Sequence, residues 1–138
     1  MFKEFEDLRA LEQVSLKGLR MLFKSERYSE KIKLLCTVPG VGFLSAVQFL
    51  TEIGDMKRFK TFDQLCFYVG LVPQTNNSGD KIRASQRTTW GNVRIRTALI
   101  ESAWVAIRQD PELALAYANL KKQMDAKHAI IKIARKVT

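Results

Sequence analysis

The sequence predicts an all-α chain, a helix-hairpin-helix-containing helical domain with a long functional loop, preceded by a long linker or coiled-coil helix. Three observations predict this class. Apolar residues return at three- and four-residue steps through most of the 138 residues. The run LLCTVPGVGFLSAVQFL at 34–50 joins two apolar helical stretches through Pro39-Gly40-Val41-Gly42. Only the stretch 69–90 loses the helical period, and it holds Pro73, Asn76, Asn77 and Gly79.

From Phe2 to about Arg27 the chain has no Pro and only Gly18, while Phe5, Leu8, Leu16, Leu19 and Phe23 recur at helical steps. This predicts one long amphipathic helix, with residues 1–29 as the linker and 30–138 as the domain that follows. Its stripe, widened by Leu11 and Leu22, suits packing on its own domain and equally suits self-association.

Hairpin helices are expected at roughly 30–37 and 43–53, the second ending at Gly54. In the turn, Gly40 and Gly42 are expected to take φ > 0 and approach a ligand closely. Val41 should plug between the helices, and Ala46 should let the second pack tightly. That helix would begin with free N–H groups and the positive end of its dipole aimed outward, a geometry suited to phosphate. A merely structural αα-hairpin is the alternative.

Thr61 and Gln64 form a capping box for a short helix carrying Phe62, Leu65, Cys66 and Tyr68. Then comes VGLVPQTNNSGDKIRASQRTTW, a connection long enough to be functional or disordered. Ser78 and Gly79 sit at a turn, and Lys81, Arg83, Arg87, Arg94 and Arg96 follow with no acid among residues 81–96. Asn92 caps a helix whose apolar face is Leu99, Ile100, Ala103, Trp104 and Ile107. Arg94 and Arg96 in its first turn oppose the dipole, a penalty that a bound anion reverses. Backbone N–H groups, planar guanidiniums and a nearby hydroxyl make a phosphate site, against the alternative of a solvated basic loop.

Asp110-Pro111 starts the next helix, with Leu113, Ala116, Tyr117, Leu120 and Met124 on one face. A final helix at about 127–137 buries Ile130, Ile131 and Ala134 and turns Lys127, Lys132, Arg135 and Lys136 outward, where they meet solvent or DNA. His128, the single histidine, reads as structural.

The net charge is +9, and it is unevenly placed. Residues 1–30 carry six Lys/Arg against six Asp/Glu, whereas 31–138 carry seventeen against eight. A basic excess confined to the hairpin-bearing part points to a polyanion, most often nucleic acid. Cys36 and Cys66 lack metal or redox spacing and, in apolar helical contexts, read as reduced core residues of a cytoplasmic protein. No membrane span or signal peptide is expected. Nor is a metal site: Asp55, Asp63 and Asp80 are scattered through different elements.

Five segments resemble a known family in order and spacing: TVPGVGFLSAVQFLTEIGD at 37–55, RFKTFDQLCFYVGLVP at 58–73, NSGDK at 77–81, GNVRIRTALIESAW at 91–104 and AIIKIARKV at 129–137. Over about three quarters of its length the chain is similar to the C-terminal domain of insertion-sequence transposases of the IS-one-ten (one-sixteen, nine-oh-two) family. The resemblance implies a DNA recombinase module whose family members add a RuvC-like nuclease domain with four acidic ligands for Mg. It also implies a coiled-coil linker and a structured guide RNA as a partner beside DNA, while homo-oligomers are expected from the N-terminal helix itself.

By the same resemblance Ser78 corresponds to the family's serine nucleophile. The segment Ser85-Gln86-Arg87-Thr88-Thr89-Trp90-Gly91-Asn92 departs from the family's usual Gly-rich basic run and Lys-x-Gly-Asn. A serine needs a base to take its proton, and no residue here is an obvious one. The expectation is therefore a chain that binds DNA without cutting it. A non-catalytic helix-hairpin-helix module and an RNA-binding or assembly domain are the alternatives.

Overall fold

The computed structural model describes residues 2–72, 75–76, 83–84 and 91–138. Among these the chain is all-α as expected, with seven α-helices: α1 Phe2–Leu22, α2 Glu26–Cys36, α3 Phe43–Ile53, α4 Phe62–Val69, α5 Val93–Gln109, α6 Pro111–Lys121 and α7 Ala126–Val137. A 3-10 turn at Met56–Arg58 follows α3. Two two-residue strands, β1 Thr75–Asn76 and β2 Arg83–Ala84, pair antiparallel with Thr75 opposite Ala84. By internal contacts the chain divides into two units, residues 1–35 and 36–138.

In the first unit α1 stops five residues before the position that periodicity predicts. Lys24 and Ser25 leave the helix, and the Ser25 carbonyl accepts from the Tyr28 and Ser29 N–H groups to start α2. The Phe23 and Tyr28 rings close the bend edge-on at 5.0 Å. Apolar spacing continues across the bend, so periodicity carries the first helix to about Arg27 and starts the next near residue 30, whereas α2 begins at Glu26. Phe2, Phe5, Leu8, Leu11, Val14 and Met21 are exposed along α1, while Leu16 and Leu19 are half-buried.

The second unit is built around α5. Its Ile95, Leu99, Ala103 and Ala106 are buried, and it packs against α3, α4, α6 and α7. Facing it are Ile53 of α3, Leu65 and Val69 of α4, and Ile130, Ile133, Ala134 and Val137 of α7. Burying each such large aliphatic side chain contributes about 1.5–3 kcal/mol. Leu113, Ala116, Tyr117 and Leu120 of α6 complete the cluster, as their spacing predicts. On α7 the buried isoleucines are Ile130 and Ile133, with Ile131 only partly covered.

The caps follow the sequence closely. Asn92 Oδ1 accepts from the Arg94 and Ile95 N–H groups, and Asp110 Oδ1 from those of Glu112 and Leu113, with Pro111 at the first helical position. Thr61 Oγ1 accepts from the Gln64 N–H at 3.3 Å, but Gln64 Oε1 accepts from the Lys60 N–H, one residue earlier than a regular capping box. Gly54 and Gly70 end α3 and α4 with φ of +66° and +79°.

Candidate nucleic-acid interface

The turn before α3 is fastened to α5. Gly40 has φ +81°, and its N–H donates to Gln109 Oε1 at 3.1 Å. A Cβ at Gly40 would lie 2.1 Å from the Ser102 carbonyl oxygen and 2.7 Å from the Ala106 nitrogen. The close approach this glycine permits is thus to the backbone of α5. Val41 is partly buried against the core, and its N–H donates to the Val38 carbonyl at 3.0 Å. Ala46 is fully buried, in keeping with a tightly packed α3.

Gly42 differs from the expectation. Its φ is −91° and ψ 175°, extended backbone open to any residue, and nothing lies within 4 Å of a Cβ built there. It is the N-cap of α3, and as a glycine it supplies no side-chain cap of its own. An open groove of about 510 Å³ runs beside the turn, lined by 36–42 together with Val105 and Gln109.

A second cluster gathers at the start of α5. Glu52, near the end of α3, accepts from Asn92 Nδ2 at 2.6 Å and pairs with Arg94 Nη1 at 3.6 Å. The Arg94 side chain remains 81% exposed, so Glu52 offsets part of its conflict with the helix dipole without covering it. Tyr68 of α4 ties the same point together: its hydroxyl donates to the Glu52 carbonyl at 3.2 Å, and its carbonyl accepts from the Asn92 N–H at 2.9 Å. Arg96 is half-buried one turn into the helix. Gly91, with φ +107°, lets the chain pass Gly70, since a Cβ there would lie 2.7 Å from the Gly70 Cα.

Ser78, Lys81 and Arg87 lie outside the described residues. Arg83 is placed only by its backbone, in β2 opposite Asn76. The short β1–β2 pairing has a faint signal in the alternation around Lys81 to Arg83.

Sequence reading missed Glu52, Tyr68 and Gln109, whose roles come from partners far along the chain. It also turned Arg135 outward, whereas Arg135 Nη2 reaches Asp63 Oδ1 at 3.0 Å and joins α7 to α4. Asp55 Oδ1 accepts from the Lys57 N–H, so two of the three scattered acids hold local or tertiary structure. Burial pushes the Cys66 thiol up, against the opposing pull of the Arg135 guanidinium. The side-chain bond from His128, helped by the His128 N–H, holds the Asp125 carboxyl below the usual range.

Among the described residues no group of three or more His, Cys, Asp or Glu converges on a metal position. No described helix is long and apolar enough to cross a membrane.

A family model described as "Transposase IS116/IS110/IS902 family" matches residues 32–118. The chain is 45% identical over 65 residues to the putative transposase y4qE of Sinorhizobium fredii, covering 47% of this chain and 17% of that protein. It is 35% identical over 80 residues to the transposase for insertion sequence element IS1111A of Coxiella burnetii, covering 58% and 22%. It is 31% identical over 104 residues to the insertion element IS110 uncharacterized 43.6 kDa protein of Streptomyces coelicolor, covering 74% and 25%. The matched segment spans about a fifth of the length of these curated relatives.

Proposed function

The chain belongs to the IS116/IS110/IS902 transposase family, and on that premise we propose that it is a DNA-gripping C-terminal domain of a transposase. In this reading the hairpin at Gly40, Val41 and Gly42 holds the duplex backbone, assisted by Lys81, Arg83, Arg87, Arg94 and Arg96. Ser78 is the nucleophile for strand transfer, and the metal chemistry belongs to acidic residues outside this chain. The exposed apolar stripe of α1 serves self-association. The observation that carries the reading is the start of α3, where the N-cap is a glycine with open space around its Cα and the turn before it is pinned to α5. A phosphate oxygen fits that geometry, and backbone N–H groups select no base sequence. The net charge of +9 supplies the long-range attraction.

The test is fluorescence anisotropy of a labelled duplex across a salt series, with wild type and Gly42→Asp. Aspartate is a good N-cap, so the variant keeps α3 while setting a negative charge where a phosphate would sit. Steeply salt-dependent binding that weakens in the variant is the expected result. Equal binding by both proteins refutes the hairpin grip. In a full-length transposase carrying this domain, Ser78→Ala should abolish transposition with DNA affinity unchanged; retained transposition leaves a non-catalytic binding module.

A further inference from the structure

Arg58 closes the 3-10 turn, and its side chain is exposed. Its guanidinium carbon nevertheless lies 4.6 Å from the Phe59 ring centroid and 4.3 Å from that of Tyr68. The two rings, 5.5 Å apart and inclined at 54°, form a two-walled platform beneath it. Among the described residues Arg58 forms an ion pair with no carboxylate. An exposed arginine ordinarily samples many rotamers, and ordering it on a ligand costs entropy; here two aromatic rings hold the guanidinium in place in advance.

The platform also has a position. Tyr68, which carries Arg58 on its ring, fixes Glu52 through its hydroxyl and Asn92 through its carbonyl, and Glu52 in turn holds Arg94. Two guanidiniums from segments thirty-six residues apart are thus attached to one tyrosine-centred framework at the start of α5. Neither Glu52 nor the aromatic rings saturate the five donors of Arg58.

We propose that Arg58 is a preorganised anchor for a phosphodiester of duplex DNA, held by Phe59 and by the Tyr68 that also fixes Glu52 and through it Arg94, and that it extends the hairpin grip onto the α4–α5 face. The inference rests on the DNA-binding reading given above. A planar fork presents two parallel donors to one phosphate, which a lysine in the same place does not.

The test compares wild type, Arg58→Gln and Arg58→Lys in the same duplex titration across salt, with circular dichroism checking that both exposed-site variants keep the fold. Arg58→Gln should weaken binding uniformly across duplex sequences and make the log–log salt slope shallower by about 0.9. Arg58→Lys should keep the slope and lose affinity, because it retains the charge without the fork. Wild type that binds with the slope and affinity of Arg58→Gln overturns the Arg58 anchor alone, and Arg58→Lys matching wild type overturns the preorganised fork. Wild type that fails to bind duplex DNA overturns the DNA-binding reading together with it. An effect of Arg58→Gln confined to an RNA duplex overturns the assignment to DNA.

Discussion

Gly40 and Ser102 meet backbone to backbone: a Cβ on Gly40 would fall 2.1 Å from the Ser102 carbonyl oxygen, a distance no side chain accommodates. The turn that precedes α3 is therefore seated on the middle of α5, sixty-two residues away in sequence. The Gln109 amide oxygen accepts the Gly40 N–H to lock the contact.

The two glycines of this turn should consequently respond differently. Gly40→Ala must either move the turn off α5 or strain a backbone at φ +81°, and is expected to cost about 2–4 kcal/mol. Gly42→Ala meets nothing within 4 Å and keeps an allowed φ, so its cost should stay under about 1 kcal/mol. Urea unfolding of both variants separates the outcomes, and equal losses would contradict the seating of Gly40.

Ser102 itself carries a hydroxyl that is buried with no hydrogen-bond partner, in a residue only 3% exposed. Its desolvation is uncompensated, and alanine is the better helix former. Ser102→Ala is expected to stabilise the chain by about 1 kcal/mol. Thermal or urea unfolding checks the sign, and a destabilised variant would show that the hydroxyl has a partner.

The two thiols should separate in reactivity. Cys36, expected in the core, is exposed at the end of α2, whereas Cys66 is fully buried and its thiol is pushed up by burial, which keeps it protonated at neutral pH. A disulfide reagent at pH 7 should modify one thiol rapidly and the second only after denaturation. Cys36→Ser should remove the fast phase, and a fast phase surviving in that variant would refute the burial of Cys66.

Asp125 gives the chain an acid-sensitive cap. Its Oδ1 accepts from the His128 N–H at 3.1 Å and from the His128 ring, interactions that favour the carboxylate and lower its pKa in the folded state. A depressed folded-state pKa contributes stability above the unfolded value, near 3.9, that is lost as pH falls through the folded one. Asp125→Asn keeps a capping oxygen and removes the titration. Its unfolding free energy, followed from pH 6 to pH 2, should fall less steeply than wild type in the acid limb; identical slopes would mean that Asp125 does not contribute.

What the sequence determined by itself is local. Helix α3 begins and ends where Gly42 and Gly54 predict, and Thr61, Asn92 and Asp110 cap the helices that follow them. These signals act within one turn of backbone, so a reader needs only neighbouring residues. The family also was legible, because motif order survives without coordinates. The end of α1 was not: apolar spacing runs on through Lys24 and Ser25, where the backbone turns.

Tertiary structure decided which polar groups remain available to a partner. Gly40 is committed to α5, Arg135 to Asp63 seventy-two residues away, and Arg94 shares Glu52 with Asn92. It also set Arg58, indistinguishable in sequence from any surface cation, over two aromatic rings. The physical reason is that capping and periodicity are set by φ, ψ and side-chain spacing along one element. Ion pairing and stacking depend on which faces of distant helices meet, and burial of the α5 core settles that only once the whole unit has folded.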